Sequence, residues 1–117
     1  MTKQQERDFI FDKCNGYCAY CGTELQRNNF EVDHFDPIYR NDDHLGGNDT
    51  IENKMPACRP CNRAKKTYSI ETWRKVIANK MTELNRDSAV YRMAKRFGLI
   101  KETKKPVEFY FEILKNL

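Results

Sequence analysis

Cys18-Ala19-Tyr20-Cys21 and Cys58-Arg59-Pro60-Cys61-Asn62 bracket the stretch on which the fold of this chain turns. Two Cys-x-x-Cys pairs have the spacing by which two short knuckles each offer two thiolates to a tetrahedral zinc ion. Thirty-six residues, 22–57, separate the pairs, well beyond the roughly fifteen to twenty of a bare zinc ribbon. The loop closed by the metal therefore houses something more, and its Asp33-His34 dipeptide is the first candidate for chemistry.

The surrounding chain suits a metal staple. Its 117 residues make one domain, or a compact core with an extension. With 39% hydrophobic and 32% charged residues and a mean hydropathy of −0.86, the core is thin, and zinc binding free energy becomes folding free energy. No apolar run approaches the roughly eighteen residues of a membrane-crossing helix, and Met1-Thr2-Lys3-Gln4-Gln5 does not read as a signal peptide. A reducing cytoplasm, bacterial or that of a phage-infected host, is the expected setting, where paired cysteines favour metal over disulfide. The fifth cysteine, Cys14, reads as a buried structural thiol.

Charge is unevenly distributed. Residues 1–58 hold 6 Lys/Arg against 11 Asp/Glu, while 59–117 hold 15 against 6. An acidic half around a suspected metal site followed by a basic half suits a phosphate-rich partner. Solvated lysine-rich helices give the same signal, so the asymmetry gains meaning only beside a motif.

Thr2-x-x-Gln5 predicts a capping box and a helix over 3–13 with Phe9 and Ile10 inward. Residues 23–25 and 30–32 read as short strands around the 27–29 turn, with Asp33-His34 at the end of the second. Residues 38–48 form a polar loop with two glycines, in which Asp42, Asp43 and His44 read as solvated turn residues. Asp49-Thr50-Ile51-Glu52 predicts a short helical turn carrying Asn53. Farther on, Ser69 caps a helix over 70–84 with Ile70, Trp73, Ile77, Met81 and Leu84 on a core face. Asp87 or Ser88 caps another helix, ending near Gly98, with Val90, Met93, Ala94 and Phe97 as its apolar stripe. Val107, Phe109, Phe111 and Ile113 alternate with polar residues, the periodicity of a strand that pairs with the core or with a second copy.

The loop chemistry can be read without further knowledge. Asp33 supplies a hard oxygen ligand and Asn62 a neutral carbonyl oxygen, a donor set that favours magnesium or manganese over zinc. An imidazole such as that of His34 can take a proton from water near neutrality. Neighbours on a strand point to opposite faces, so Asp33 and His34 share a site only where the strand twists or ends. Asp33 could instead be structural, with His34 the sole reactive group.

Taken together, Cys18-x-x-Cys21, Val32-Asp33-His34, Gly46-Gly47, Asn53 and Cys58-x-x-Cys61-Asn62-x-x-Lys65 resemble the zinc-knuckle HNH endonucleases and their ββα-metal motif, over roughly residues 14–66. The resemblance implies an α+β fold: a small zinc-stapled ββα-metal core over 1–66, then a helical extension and terminal strand over 67–117. It implies metal-dependent hydrolysis of DNA phosphodiester bonds, leaving 5′-phosphate and 3′-hydroxyl ends. On that pattern Asp33 is a ligand of a catalytic Mg2+ or Mn2+ ion, and His34 is the general base. Asn53 ties the loop to the strand, and Asn62 stands where the name's final histidine would fall. Cys18, Cys21, Cys58 and Cys61 would hold a structural zinc. Arg63, Lys65 and Lys66 would meet the phosphates of a double-stranded DNA, and the further partners considered are a second copy or a phage packaging or restriction protein. The competing reading is a non-catalytic zinc module that binds nucleic acid. It explains the cysteines and the basic half, but not Asp33, His34, Asn53 and Asn62 at motif positions.

Overall fold

A computed structural model describes residues 1–40 and 43–116; nothing is described of the side chains at 39, 40, 43 and 44. Asp42 and the side chains of Asp43 and His44 thus lie outside the described residues. The described chain forms two units, one of 1–70 with 108–117 and one of 71–107.

The first unit opens with α1 (Lys3–Asp12), and the predicted capping box is present. Thr2 Oγ1 accepts from the Gln5 N–H at 3.1 Å, while Gln5 Oε1 accepts from the Thr2 N–H at 2.8 Å. Ile10 and Phe11 are buried, whereas Phe9 is exposed, because it lies on the face of α1 opposite the core. Two strands follow, β1 (Glu31–His34) and β4 (Lys54–Ala57), which pair antiparallel with Val32 opposite Pro56 and His34 opposite Lys54. The expected hairpin between 23–25 and 30–32 does not form. Residues 17–29 make isolated bridges instead, Tyr17 with Glu24 and Gln26 with Asn29, and the strand bonds of β1 go to the distant β4. Two short strands, β2 (Tyr39–Arg40) and β3 (Asp43–His44), pair antiparallel within the polar loop. A 3-10 turn at Ile51–Asn53 leads into β4, and α2 (Arg59–Lys65) packs on β1 to complete a ββα core.

The first knuckle is sewn in from both sides. The Ala19 N–H donates to the Pro56 carbonyl at 2.9 Å, and the Ala19 carbonyl accepts from the Phe111 N–H at 2.8 Å. Residues 107–113 are therefore not a strand. The Phe109 N–H donates to Glu112 Oε1 at 2.9 Å and the N–H of Tyr110 to the Tyr20 carbonyl, so the segment turns into α6 (Tyr110–Lys115). The alternating aromatic residues serve packing instead. Phe109 is buried edge-on to Tyr20 with ring centroids 5.9 Å apart, and Phe111 lies 5.4 Å from Phe35, just after the end of β1. Gly22 has φ +78, and a Cβ there would meet the Tyr110 ring at 3.0 Å, so glycine is what lets this tail close on the knuckle.

The second unit is helical. The expected single helix over 70–84 is divided into α3 (Ile70–Ala78) and α4 (Lys80–Asp87), with Asn79 at the break as the N-cap of α4, in αR conformation and without a side-chain cap bond. Ser88 caps α5 (Ala89–Arg96), its Oγ accepting from the Tyr91 N–H at 3.1 Å. Trp73 is buried, but Met81 and Leu84 are exposed, and the α5 stripe stands in solvent with Val90 82% and Phe97 74% exposed. The apolar period found helix at 70–84 and 89–96 but not the break at Asn79, and of the residues it placed in the core Trp73 is buried while Met81, Leu84, Val90 and Phe97 are exposed.

Candidate active site

Both knuckles converge. The ligand sulfurs of Cys18, Cys21, Cys58 and Cys61 all lie within 4.8 Å of one another, the donor set of a tetrahedral structural metal centre. Backbone N–H groups are already turned toward the sulfurs: that of Cys58 toward Cys18 Sγ and that of Cys61 toward Cys58 Sγ, each at 3.4 Å. Hydrogen bonding from the Cys61 thiol, helped by backbone N–H donors, pulls the Cys18 thiol below its ordinary range. Four soft thiolates at this spacing fit zinc. The cluster fixes the start of α2 against the knuckle and, through Ala57 and Pro56, against β4. Cys14 is buried nearby as expected, and burial pushes its thiol up to about 11.

At the other end of β1, strand alternation separates the acid from the histidine. Asp33 turns inward and is 7% exposed. Its Oδ2 accepts from the Tyr20 hydroxyl at 2.5 Å and lies 3.0 Å from Lys65 Nζ. Burial, then the Asp33 charge, hold the Tyr20 phenol protonated far above its ordinary range. Lys65 itself is fully buried and also donates to the His34 carbonyl at 3.0 Å. This corrects the placement of Lys65 among phosphate-contacting residues. An ammonium with no solvent exposure, paired to a buried carboxylate, is internal scaffolding. Arg63 and Lys66 are exposed, and Lys66 lines the cleft described next.

His34 faces outward, half-buried, with Nε2 2.9 Å from Asp49 Oδ1. The hydrogen bond to His34 and a second charge, Lys54, hold the Asp49 carboxyl below the usual carboxylate range. Asp49 is thus an anion near neutrality and can only accept, so His34 donates to it from Nε2. Because His34 ends β1, the loop that follows bends back. Val32, Asp33, His34, Pro37, Ile38, Asn62, Lys66 and Thr67 line one cavity of about 330 Å3. Asp33, His34 and Asn62 therefore line a single cleft. The oxygens of Asp33 and Asn62 fit a hard divalent ion such as Mg2+ or Mn2+.

Asn53 does not line that cleft. Its side chain binds the loop after β1: Oδ1 accepts from the Asp36 N–H at 2.9 Å, and Nδ2 donates to the carbonyls of Asp36 and Asn48 at 2.9 and 2.8 Å. Gly47 packs into the same junction, where a Cβ would stand 2.0 Å from the Asp36 carbonyl oxygen; only glycine fits. Asn62 comes from α2 and donates from Nδ2 to Glu31 Oε1 at 2.8 Å. Tyr20, Glu31 and Asp49 were missed in the sequence reading. Glu31 alone carried a usable signal, because it precedes Asp33 by two and must share its strand face.

The chain is similar to known proteins over this region. Residues 18–67 match the HNH endonuclease family. Over 79 residues the chain is 32% identical to the "SPbeta prophage-derived putative HNH endonuclease YoqL" of Bacillus subtilis (strain 168), covering 61% of this chain and 34% of that protein. The fold is similar to part of the crystal structure of the type II-C Cas9 enzyme from Actinomyces naeslundii, with TM-score 0.52 and 25% identity over 62% of this chain and 8% of that one. The chain spans about a third of the curated relative it matches and under a tenth of the Cas9 chain.

Proposed function

We propose that this protein is a metal-dependent HNH endonuclease that hydrolyses DNA phosphodiester bonds and leaves 5′-phosphate and 3′-hydroxyl ends. The observation that carries the reading is the meeting of Asp33, His34 and Asn62 on one cleft at the end of β1. In this reading Asp33 and Asn62 hold a divalent ion through oxygen. When bound, Mg2+ or Mn2+ supplies positive charge that polarises the phosphate and stabilises the departing 3′ oxygen.

The chain's own groups do the rest. His34, its Nε2–H hydrogen-bonded to the Asp49 carboxylate, takes a proton from water at Nδ1, and that water forms the new bond to phosphorus as the bond to the 3′ oxygen breaks. Asn53 holds the loop that carries Asp36, and so keeps the exit of β1 and the histidine ring in register. Lys65 anchors the His34 carbonyl from inside. The exposed Arg63 and Lys66 are the candidates for phosphate contact, together with the helical unit, which holds 10 Lys/Arg against 4 Asp/Glu over 71–107. Such contacts position a duplex without reading its sequence. The relative's prophage origin, by its name, makes a phage setting part of the same proposal.

Supercoiled plasmid incubated with the zinc-loaded protein and Mg2+ or Mn2+ should be nicked. His34→Ala should lower the rate by about 10²–10⁴-fold with zinc content and melting temperature unchanged. Plasmid binding without cleavage in magnesium, manganese and nickel would replace the nuclease with a non-catalytic module. Equal loss of fold and activity in His34→Ala would make the histidine structural.

A further inference from the structure

We propose that Glu31 is a positioning residue that acts through Asn62, fixing its side-chain amide so that Oδ1 rather than Nδ2 faces the cleft. The inference rests on the nuclease reading, in which Asn62 gives an oxygen to the catalytic ion.

The argument starts from β1. Glu31 and Asp33 are two apart on the strand and share a face, and Asn62 reaches that face from α2. Glu31 Oε1 lies 2.8 Å from the Asn62 amide. An ionised carboxylate can only accept hydrogen bonds, so the half of the amide turned toward it has to be the NH2 group. The amide is planar with its two polar atoms on opposite sides, and Oδ1 is thereby aimed away from Glu31. Among the described residues, no hydrogen bond takes up Asn62 Oδ1, and the same holds for Asp33 Oδ1, whose sister oxygen is held by Tyr20 and Lys65. Asp33 and Asn62 therefore each have one polar atom held by hydrogen bonds and one left over. Arg59 Nε, 4.0 Å from Glu31 Oε2, restrains the carboxylate from its far side.

Without Glu31 nothing in this pairing distinguishes the two ends of the amide. Asn62 is half-buried, and rotation about its last torsion would present NH2, a donor that repels a cation, as readily as the oxygen. Residues that orient metal ligands in this way typically change metal affinity about 10–100-fold when removed.

The test titrates Mn2+ alone into the full-length, zinc-loaded protein without DNA, in wild type, Glu31→Gln, Glu31→Ala and Asn62→Ala. Glu31→Gln keeps an acceptor oxygen for the Asn62 NH2 and should bind within about threefold of wild type; Glu31→Ala should bind at least about tenfold more weakly. Zinc content and melting temperature should be the same in all four. The side-chain NH2 resonances of Asn62 should stay slow to exchange in Glu31→Gln and become fast in Glu31→Ala. Two results overturn the inference while sparing the nuclease reading. One is Glu31→Ala binding Mn2+ like wild type; the other is Glu31→Gln falling as far as Glu31→Ala, which would make the glutamate charge itself the requirement. Absence of Mn2+ binding by wild type, or an Asn62→Ala variant that binds as well as wild type, removes the ligand assignment on which the inference stands, and the inference with it.

Discussion

The two units are held by different physics. In the unit of 1–70 and 108–117 lie nearly all the buried apolar residues among those described, and among them a buried ion pair and four converging thiols. The helical unit of 71–107 buries Trp73 and leaves Val90, Met93, Phe97 and Leu99 in solvent. Its ties are largely polar and at the surface, centred on Glu102, which accepts from Asn85, Tyr91 and Lys95. The difference teaches where precision is needed. A site built from a carboxylate, an imidazole and an amide requires a rigid frame, and a small unit gains that rigidity from a metal and internal polar pairs instead of bulk.

Removing the metal should produce the largest effect. Apparent zinc binding energies of about 10–16 kcal/mol in small zinc folds match or exceed the roughly 5–15 kcal/mol by which a domain is stable. Cys58→Ser, or a strong chelator, should therefore unfold the first unit. The measurement is zinc content by atomic absorption alongside near-ultraviolet dichroism of the buried aromatic residues. Retention of the aromatic signal without zinc would show that the tail contacts of Phe109 and Phe111 suffice, and would end the contrast drawn between the units.

Next in size is the buried pair. Lys65→Met strands the Asp33 charge in the interior and should cost about 3–5 kcal/mol, read as a lower midpoint in urea unfolding. Adding Asp33→Asn should recover much of that loss, because the cost lies in an unpaired charge and not in a lost contact. Cleavage should not recover with stability. A double variant that is both stable and active would move Asp33 out of the site.

How much of this could be read beforehand follows the same division. Cysteine spacing gave the metal cluster, and the Thr2 and Ser88 caps gave two helix starts, because these signals are local and chemical. The strand partner of β1 was hidden by its brevity and by Pro56, which cannot donate to a ladder and makes Lys54–Ala57 look unlike a strand. Phe109 and Phe111 alternate like strand residues, yet what sets their backbone is the distant Ala19 and Tyr20 carbonyls and Glu112, and only the last is close in sequence. At the site, Asp33, His34 and Asn62 were legible as chemical types at motif spacing. The burial of Lys65 was not, since a lysine beside Arg63 and Lys66 looks like surface charge until the carboxylate beneath it is seen. Glu31 shares the strand face of Asp33 at period two, but its partner Asn62 is 31 residues away; Asp49 acts through space on His34, and no periodicity marks it.

The smallest effect is expected in the helical unit, and its pH dependence has a definite sign. Hydrogen bonds from Asn85 first, then Tyr91, and the Lys95 ammonium pull Glu102 down to about 2, against about 4.3 for an unperturbed glutamate. A carboxyl whose pKa is lowered by folding contributes stability that is fully present above its unfolded value and is lost as pH falls through its folded one. Glu102 should therefore support α4 and α5 at pH 6 and cease to do so near pH 2. Glu102→Gln keeps an acceptor for Tyr91 but gives up the charge facing Lys95. At pH 6 its backbone amides over 80–96 should exchange roughly two- to fivefold faster than those of wild type, in keeping with a partly solvated pair. The ratio should shrink toward one as pH approaches 2, and at pH 6 it should shrink on adding salt. A ratio that stays constant across that range would mean that Glu102 acts by shape and not by charge. In that case the polar surface would no longer distinguish the helical unit from the metal-held one.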